Sequence, residues 1–155
     1  MKTIVRNEGE GEALWFYGGG VHTWKVTAQD THGLLGIFED LLERGKTTPL
    51  HTHPDSDEIV YVLEGELLIH DGGNPRTVRA GSVVINQRGV PHAFLVTSER
   101  ARILSIMTPA TQAEGFYRKA STPGTSGPVD FAKVGGAAKE TGATVILGPP
   151  PFARP

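Results

Sequence analysis

The sequence predicts an all-β fold, an antiparallel β-barrel or sandwich carrying a short C-terminal helical appendage. Three observations lead there. Glycine and proline supply 20 and 11 of the 155 residues, a density of turn-formers that suits short strands better than a helical bundle. Five stretches rich in Val, Ile and Leu, at 33–42, 58–70, 77–85, 93–96 and 101–107, follow one another closely. Turn signals separate them and no helical segment intervenes, which is the pattern of antiparallel strands in one sheet system.

Taken along the chain, residues 1–8 turn polar after two apolar positions, so no apolar signal core forms. No run approaches the ~20 apolar residues that span a bilayer, and a cytoplasmic protein without membrane contact is expected. Gly18-Gly19-Gly20 after Trp15-Phe16-Tyr17 lacks the strand-to-helix context of a dinucleotide loop. The core runs over about residues 20–108. Asp71-Gly72-Gly73-Asn74-Pro75 reads as a hairpin turn, because Gly and Asn accept positive φ. Gly81 and Gly89-Val90-Pro91 punctuate the next strand pair, and Thr108-Pro109 closes the last strand. A short helix is expected over 110–120 and a Gly/Ser/Thr/Pro linker over 121–128. Asp130 is placed to cap a second helix over 131–141, with Gly142 as its stop. Residues 1–109 are thus read as the barrel with an N-terminal strand extension. Residues 110–155 are read as helices and a Pro/Gly-rich tail, packed on the barrel or on a partner subunit.

Composition narrows the chemistry. With 15 Lys and Arg against 17 Asp and Glu, the formal charge of −2 argues against a nucleic-acid binder. Cysteine is absent, which removes disulfides, thiolate metal sites and cysteine nucleophiles together. Any strong base or metal ligand must come from carboxylates or from the six histidines. No serine lies in a GxSxG elbow.

Two windows concentrate those groups. In an extended segment residues i and i+2 share a side, so His51 and His53 aim both imidazoles the same way. Glu58 opens the next strand after the turn 54–57 and can bring its carboxylate to the same point. The turn Gly89-Val90-Pro91 delivers His92 at another strand start. An HxH pair alone is as readily two surface histidines. With Glu58, His92 and the flanking glycines it becomes a nitrogen and oxygen donor set suited to a first-row divalent metal with open positions.

The spacing Gly45, five residues, His51, one residue, His53, four residues, Glu58, six residues, Gly65 resembles the first motif of the cupin superfamily. Gly81, Gly89 and His92 resemble its second motif, with departures at Gln87, where proline is usual, and Val96, where asparagine is usual. The resemblance implies a jelly-roll-like cupin β-barrel and metal ligands His51, His53, Glu58 and His92. The ion it implies is one divalent transition metal: iron, nickel, manganese, cobalt, copper or zinc. Trp15-Phe16-Tyr17-Gly18-Gly19, the run 104–109 leading to Gly115-Phe116-Tyr117, and Gly148-Pro149-Pro150 resemble segments of small bacterial quercetin 2,3-dioxygenase-like cupins.

That narrower resemblance implies a metal-dependent dioxygenase acting on a flavonol-like or other enolisable aromatic molecule. Glu58 would take the substrate hydroxyl proton as general base, and O₂ would cleave the heterocycle with loss of carbon monoxide. A cupin isomerase, cyclase or lyase without O₂ chemistry, or a non-enzymatic small-molecule binder, are the alternatives. Strand parity puts Phe94 and Val96 on the face of His92, as substrate contacts in an apolar pocket. Val60 and Val62 share Glu58's face and read as barrel filling. His22, His32 and His70 lack ligand spacing and read as surface residues; Asp55 and Asp57 read as solvated loop carboxylates. Open sheet edges and the Pro-rich tail favour a homodimer.

Overall fold

The computed structural model describes residues 3–152. Ten strands precede the first α-helix: β1 (Glu12–Phe16), β2 (Val21–Val26), β3 (Gly36–Glu43), β4 (Leu50–Thr52), β5 (Asp57–Glu64), β6 (Glu66–His70), β7 (Arg76–Arg79), β8 (Val83–Asn86), β9 (Ala93–Val96) and β10 (Arg100–Thr108). Helix α1 (Thr111–Lys119), β11 (Ser121–Pro123), α2 (Phe131–Thr141) and β12 (Val145–Gly148) follow. Every strand pairing is antiparallel.

Side-chain alternation fixes which way the strands face. In β10, Ala101, Ile103, Ser105 and Met107 all turn inward and are buried, and the residues between them are only partly so. In β5, Val60 and Val62 are buried while Tyr61 and Leu63 face out. A one-residue slip of either strand would expose the whole inner set, so the register is strongly specified. The sheet break between β5 and β6 is enforced at Gly65. Its φ is +83°, and a Cβ there would stand 2.2 Å from the Arg100 carbonyl oxygen.

The strands form a seven-stranded sheet in the order β11-β1-β2-β3-β10-β5-β8, a three-stranded sheet β7-β6-β9 and a two-stranded sheet β12-β4. Bridges from Thr47 to Leu95 and from His51 to His92 tie the β4 segment to the β9 side. The main core lies between these layers, where Leu42, Val60, Val62, Leu67, Ile69, Val96 and Ile103 meet. Each such aliphatic side chain contributes ~1.5–3 kcal/mol on leaving water. This is the expected antiparallel jelly-roll architecture, although the sheets do not close into one continuous hydrogen-bonded cylinder.

The C-terminal third returns along the strands. Ala113 of α1 joins Leu14, Trp24, Phe38 and Met107 in a second cluster. Part of the expected linker, 121–123, is strand β11, because Leu14, Trp15 and Phe16 of β1 pair with Pro123, Thr122 and Ser121. Asp130 caps α2 by accepting hydrogen bonds from the Ala132 and Lys133 amides, and Gly142 ends the helix at φ +67°. Val145 and Ile146 of β12 then pair with Thr52 and His51 of β4. Among the described residues no helix is long and apolar enough to cross a membrane. Residues 1–2 and 153–155 of the two expected segments lie outside the described residues.

Candidate metal centre

The three motif histidines sit where local backbone pairing holds them. His51 N donates to the His92 carbonyl at 3.1 Å, and His92 N donates back to the His51 carbonyl at 2.9 Å. This two-bond bridge places both imidazoles side by side. His53 follows directly after β4, and its carbonyl accepts from Gly89 N at 2.9 Å. Asp57 ties down the same turn: its Oδ1 accepts from Arg88 N and its Oδ2 from Arg88 Nη2, each at 2.8 Å. The ion pair with Arg88 holds the Asp57 carboxyl down to about 2. Asp57 is therefore more than a solvated loop carboxylate, since it clamps the turn that presents His92.

One ring nitrogen from each of His51, His53 and His92 lies within 4.8 Å of the others. Each opposite nitrogen is committed to a backbone carbonyl. Nδ1 of His51 meets the Pro49 oxygen at 2.9 Å, Nδ1 of His53 meets the Ala143 oxygen at 3.1 Å, and Nδ1 of His92 meets the Val90 oxygen at 2.9 Å. A carbonyl only accepts, so Nδ1 carries the proton and Nε2 presents its lone pair to the cluster centre. Nε2 of His53 and Nε2 of His92 are buried without a hydrogen-bond partner. Glu58 Oε2 stands 3.2 Å from Nε2 of His92 and 3.9 Å from Nε2 of His53, and it accepts a hydrogen bond from Asn86 Nδ2 at 3.1 Å. Converging lone pairs, buried and unspent, beside a carboxylate are the donor set a divalent transition metal requires. The residues present fit such an ion.

Electrostatics within the cluster are uneven. Burial, reinforced by the neighbouring imidazoles, pushes His51 down to about 3. Burial opposes the charged form of His92 as well, but the adjoining Glu58 carboxylate outweighs it and raises His92 above its ordinary value. Burial favours a neutral Glu58, yet contact with His92 and the charges of all three histidines hold the carboxyl well below the usual range. The cluster therefore keeps an ionised carboxylate beside imidazoles that are available as ligands.

A cavity of about 70 Å³ adjoins His51, His53 and Glu58, and Phe16, Phe94, Phe116 and Tyr117 are among the side chains that wall it. Phe94 thus reaches the space expected for it. Val96, expected beside it, does not. Two residues further along β9, it is 1% exposed and packed in the main core with Val62 and Leu67. His22 also departs from expectation: it is 1% exposed and lines the cavity. The signal for it was its place in the alternation of β2, where His22 and Trp24 are the buried pair. His32 is exposed and His70 half-buried. The contribution of Ala143 to the His53 imidazole had no sequence signal beyond the apolar run 145–147 that carries β12 to β4.

Comparison with known proteins agrees with this geometry. Residues 38–107 match the cupin domain family. The chain is 31% identical over 105 residues to quercetin 2,3-dioxygenase of Bacillus subtilis (strain 168), covering 68% of this chain and 31% of that protein. It is 32% identical over 85 residues to polyketide synthase CurC of Streptomyces cyaneus, covering 54% of each. The chain therefore spans between about a third and just over half the length of these curated relatives. The solved structure of KdgF from Halomonas sp. superposes with a TM-score of 0.65 at 15% identity, covering 73% of this chain and 99% of that one. At that identity the likeness speaks to the fold alone.

Proposed function

We propose, from the premise that residues 38–107 make this chain a cupin, that it is a metal-dependent dioxygenase of a small, enolisable aromatic compound. The observation that carries this reading is the aromatic wall of Phe16, Phe94, Phe116 and Tyr117 set directly against the His51, His53, His92 and Glu58 cluster. A donor set alone would suit many cupin chemistries. The aromatic part of the cavity lining favours flat organic ligands. The similarity to quercetin 2,3-dioxygenase supports a flavonol-like substrate. The cavity of about 70 Å³ is small beside the ~300–1,000 Å³ of drug-sized pockets, and this favours one-ring enols and phenols.

In this reading His51, His53, His92 and Glu58 hold one divalent ion, and iron, nickel, manganese, cobalt, copper and zinc all suit the donor set. When bound, the metal supplies Lewis acidity toward a substrate oxygen. Glu58 performs the proton step. Its carboxylate is ionised, and it takes the proton of the substrate hydroxyl as general base. The Asn86 amide, bonded to Oε2, keeps Glu58 aimed. Phe94 holds the ring of the substrate, and the aromatic wall excludes bulk water. Among the described residues, those up to 109 form the barrel in this view, and those from 110 onward form the appendage that covers the cavity.

The test is metal analysis of the purified protein followed by O₂ uptake with flavonols and one-ring enols and dihydroxybenzenes. About one metal per chain and uptake with at least one compound is the expected result. Bound metal with no uptake across the panel would reject the dioxygenase reading. A second reading is an isomerisation, cyclisation or lyase reaction at the same site without O₂, and the similarity to polyketide synthase CurC favours a polyketide as its substrate.

A homodimer belongs to the same proposal. Strand β8 ends the seven-stranded sheet and leaves Val83 55% and Ile85 63% exposed, an apolar edge that a second copy would cover. Light scattering should give twice the chain mass of 16.6 kDa, and Ile85→Asp should return the protein to that mass. A wild-type monomer at micromolar concentration would refute it.

A further inference from the structure

Asp40 on β3 stands opposite His22 on β2 in the sheet register, and its Oδ1 lies 2.9 Å from Nδ1 of His22. The carboxylate accepts the Nδ1 proton, so Nε2 of the neutral imidazole carries the lone pair. That Nε2 is buried and has no hydrogen-bond partner. The ring cannot turn to find one. It lies stacked on Tyr117 at 4.8 Å and 17° and against Phe38 at 3.9 Å. A core histidine kept only for packing would be cheaper as phenylalanine, because a buried acceptor left unpaired is costly.

His22 lines the same cavity as the metal-site residues, but it has no place in the metal cluster. The lining of this cavity also includes Lys46, whose ammonium donates to the Gly18 carbonyl and lies 5.1 Å from the centre of the Phe16 ring. An ammonium has three donors, and among the described residues Gly18 takes the one hydrogen bond found for this group. Asp40 offsets its charge without forming an ion pair with it. The cavity lining therefore offers a fixed acceptor and a cationic donor. A hydroxyl group is what uses both, giving its proton to one and accepting from the other.

We propose that the Asp40-oriented His22 is a specificity-determining residue that accepts a hydrogen bond from a second substrate hydroxyl, with Lys46 donating to the same oxygen. The preferred substrate would then be a hydroxylated aromatic, held by the metal site through one oxygen group and by His22 through another. This rests on the metal site of the proposed function and deepens it.

Benzohydroxamate, a metal-chelating ring without a second hydroxyl, serves as reference probe, and its 2-, 3- and 4-hydroxy derivatives test the inference. Affinities are measured by calorimetry on the metal-loaded protein. At least one hydroxy isomer should bind the wild type about tenfold or more tightly than the parent. His22→Phe keeps the stack on Tyr117 and Phe38. It should erase that preference while leaving metal content and parent binding essentially unchanged. Asp40→Asn, whose amide can donate to Nδ1 and move the imidazole proton to Nε2, should weaken it and serves if His22→Phe fails to fold. No hydroxy preference in the wild type, or a preference that survives both substitutions, overturns the inference while the metal site stands. Failure of the wild type to retain metal or to bind the parent hydroxamate overturns both readings.

Discussion

A His51→Ala variant should fold and yet lose its metal, with affinity down at least ~100-fold. Changes to groups that merely orient a ligand typically cost ~10–100-fold in affinity, and removing a ligand costs more. The backbone pairing that seats this segment survives the substitution, because His51 N and the His51 carbonyl, not the imidazole, make the bridge to His92. The ring's internal tether is local, from Nδ1 to the Pro49 oxygen, so its loss frees no distant element. The contrast appears in thermal unfolding. A ligand at 100 times its Kd stabilises the native state by ~2.7 kcal/mol, and in a domain of this size each kcal/mol is worth ~2–4 °C. Added metal should therefore raise the wild-type melting temperature by roughly 5–10 °C and leave that of His51→Ala in place. Elemental analysis after dialysis gives the complementary reading. Full metal occupancy in both His51→Ala and His53→Ala would remove the basis for the site.

The site was more legible than its surroundings because its geometry is local. His51 and His53 are two residues apart on an extended segment, and Glu58 is the second residue of the following strand, so sequence spacing translates directly into a shared side. The helix α2 was equally readable, since Asp130 and Gly142 meet the needs of its two ends within a few residues. What sequence left obscure depends on long-range pairing. Ala143 reaches His53 across 90 positions, and nothing in the local composition says that β12 lies beside β4. His22 was misread for the same reason. Its partner Asp40 and its stacking neighbours Phe38 and Tyr117 come from two other places in the chain, β3 and α1. Val96 failed in the opposite sense. Parity correctly gave it a buried face, but depth along the strand decides whether that face meets the cavity or the core.

The second large effect is expected from Glu58→Gln, which keeps the size of the side chain and an oxygen for the Asn86 amide while removing the negative charge. If Glu58 is the base, turnover should fall by ~10²–10⁴-fold, the usual contribution of a positioned general base, while metal content falls far less than in His51→Ala. The same substitution has a signature that needs no substrate. In the metal-free protein, Glu58 is what lifts His92 above the ordinary histidine value against the opposing effect of burial. With glutamine in place, burial is opposed only by the Val90 carbonyl and His92 should titrate lower, visible in the pH dependence of its imidazole proton resonances. The sign in stability follows. A raised His92 stabilises the metal-free fold fully below the unfolded histidine value and loses that contribution as pH rises through the folded one. The depressed Glu58 contributes above the unfolded carboxyl value and loses it as pH falls toward its own. The pair's stabilisation is therefore greatest in the window between the ordinary carboxyl and histidine values, near pH 5–6. Metal-free wild type should exceed Glu58→Gln in melting temperature most strongly there, with the gap narrowing on either side. A His92 titration unmoved by the substitution would separate Glu58 from the cluster and leave the proton step without its base.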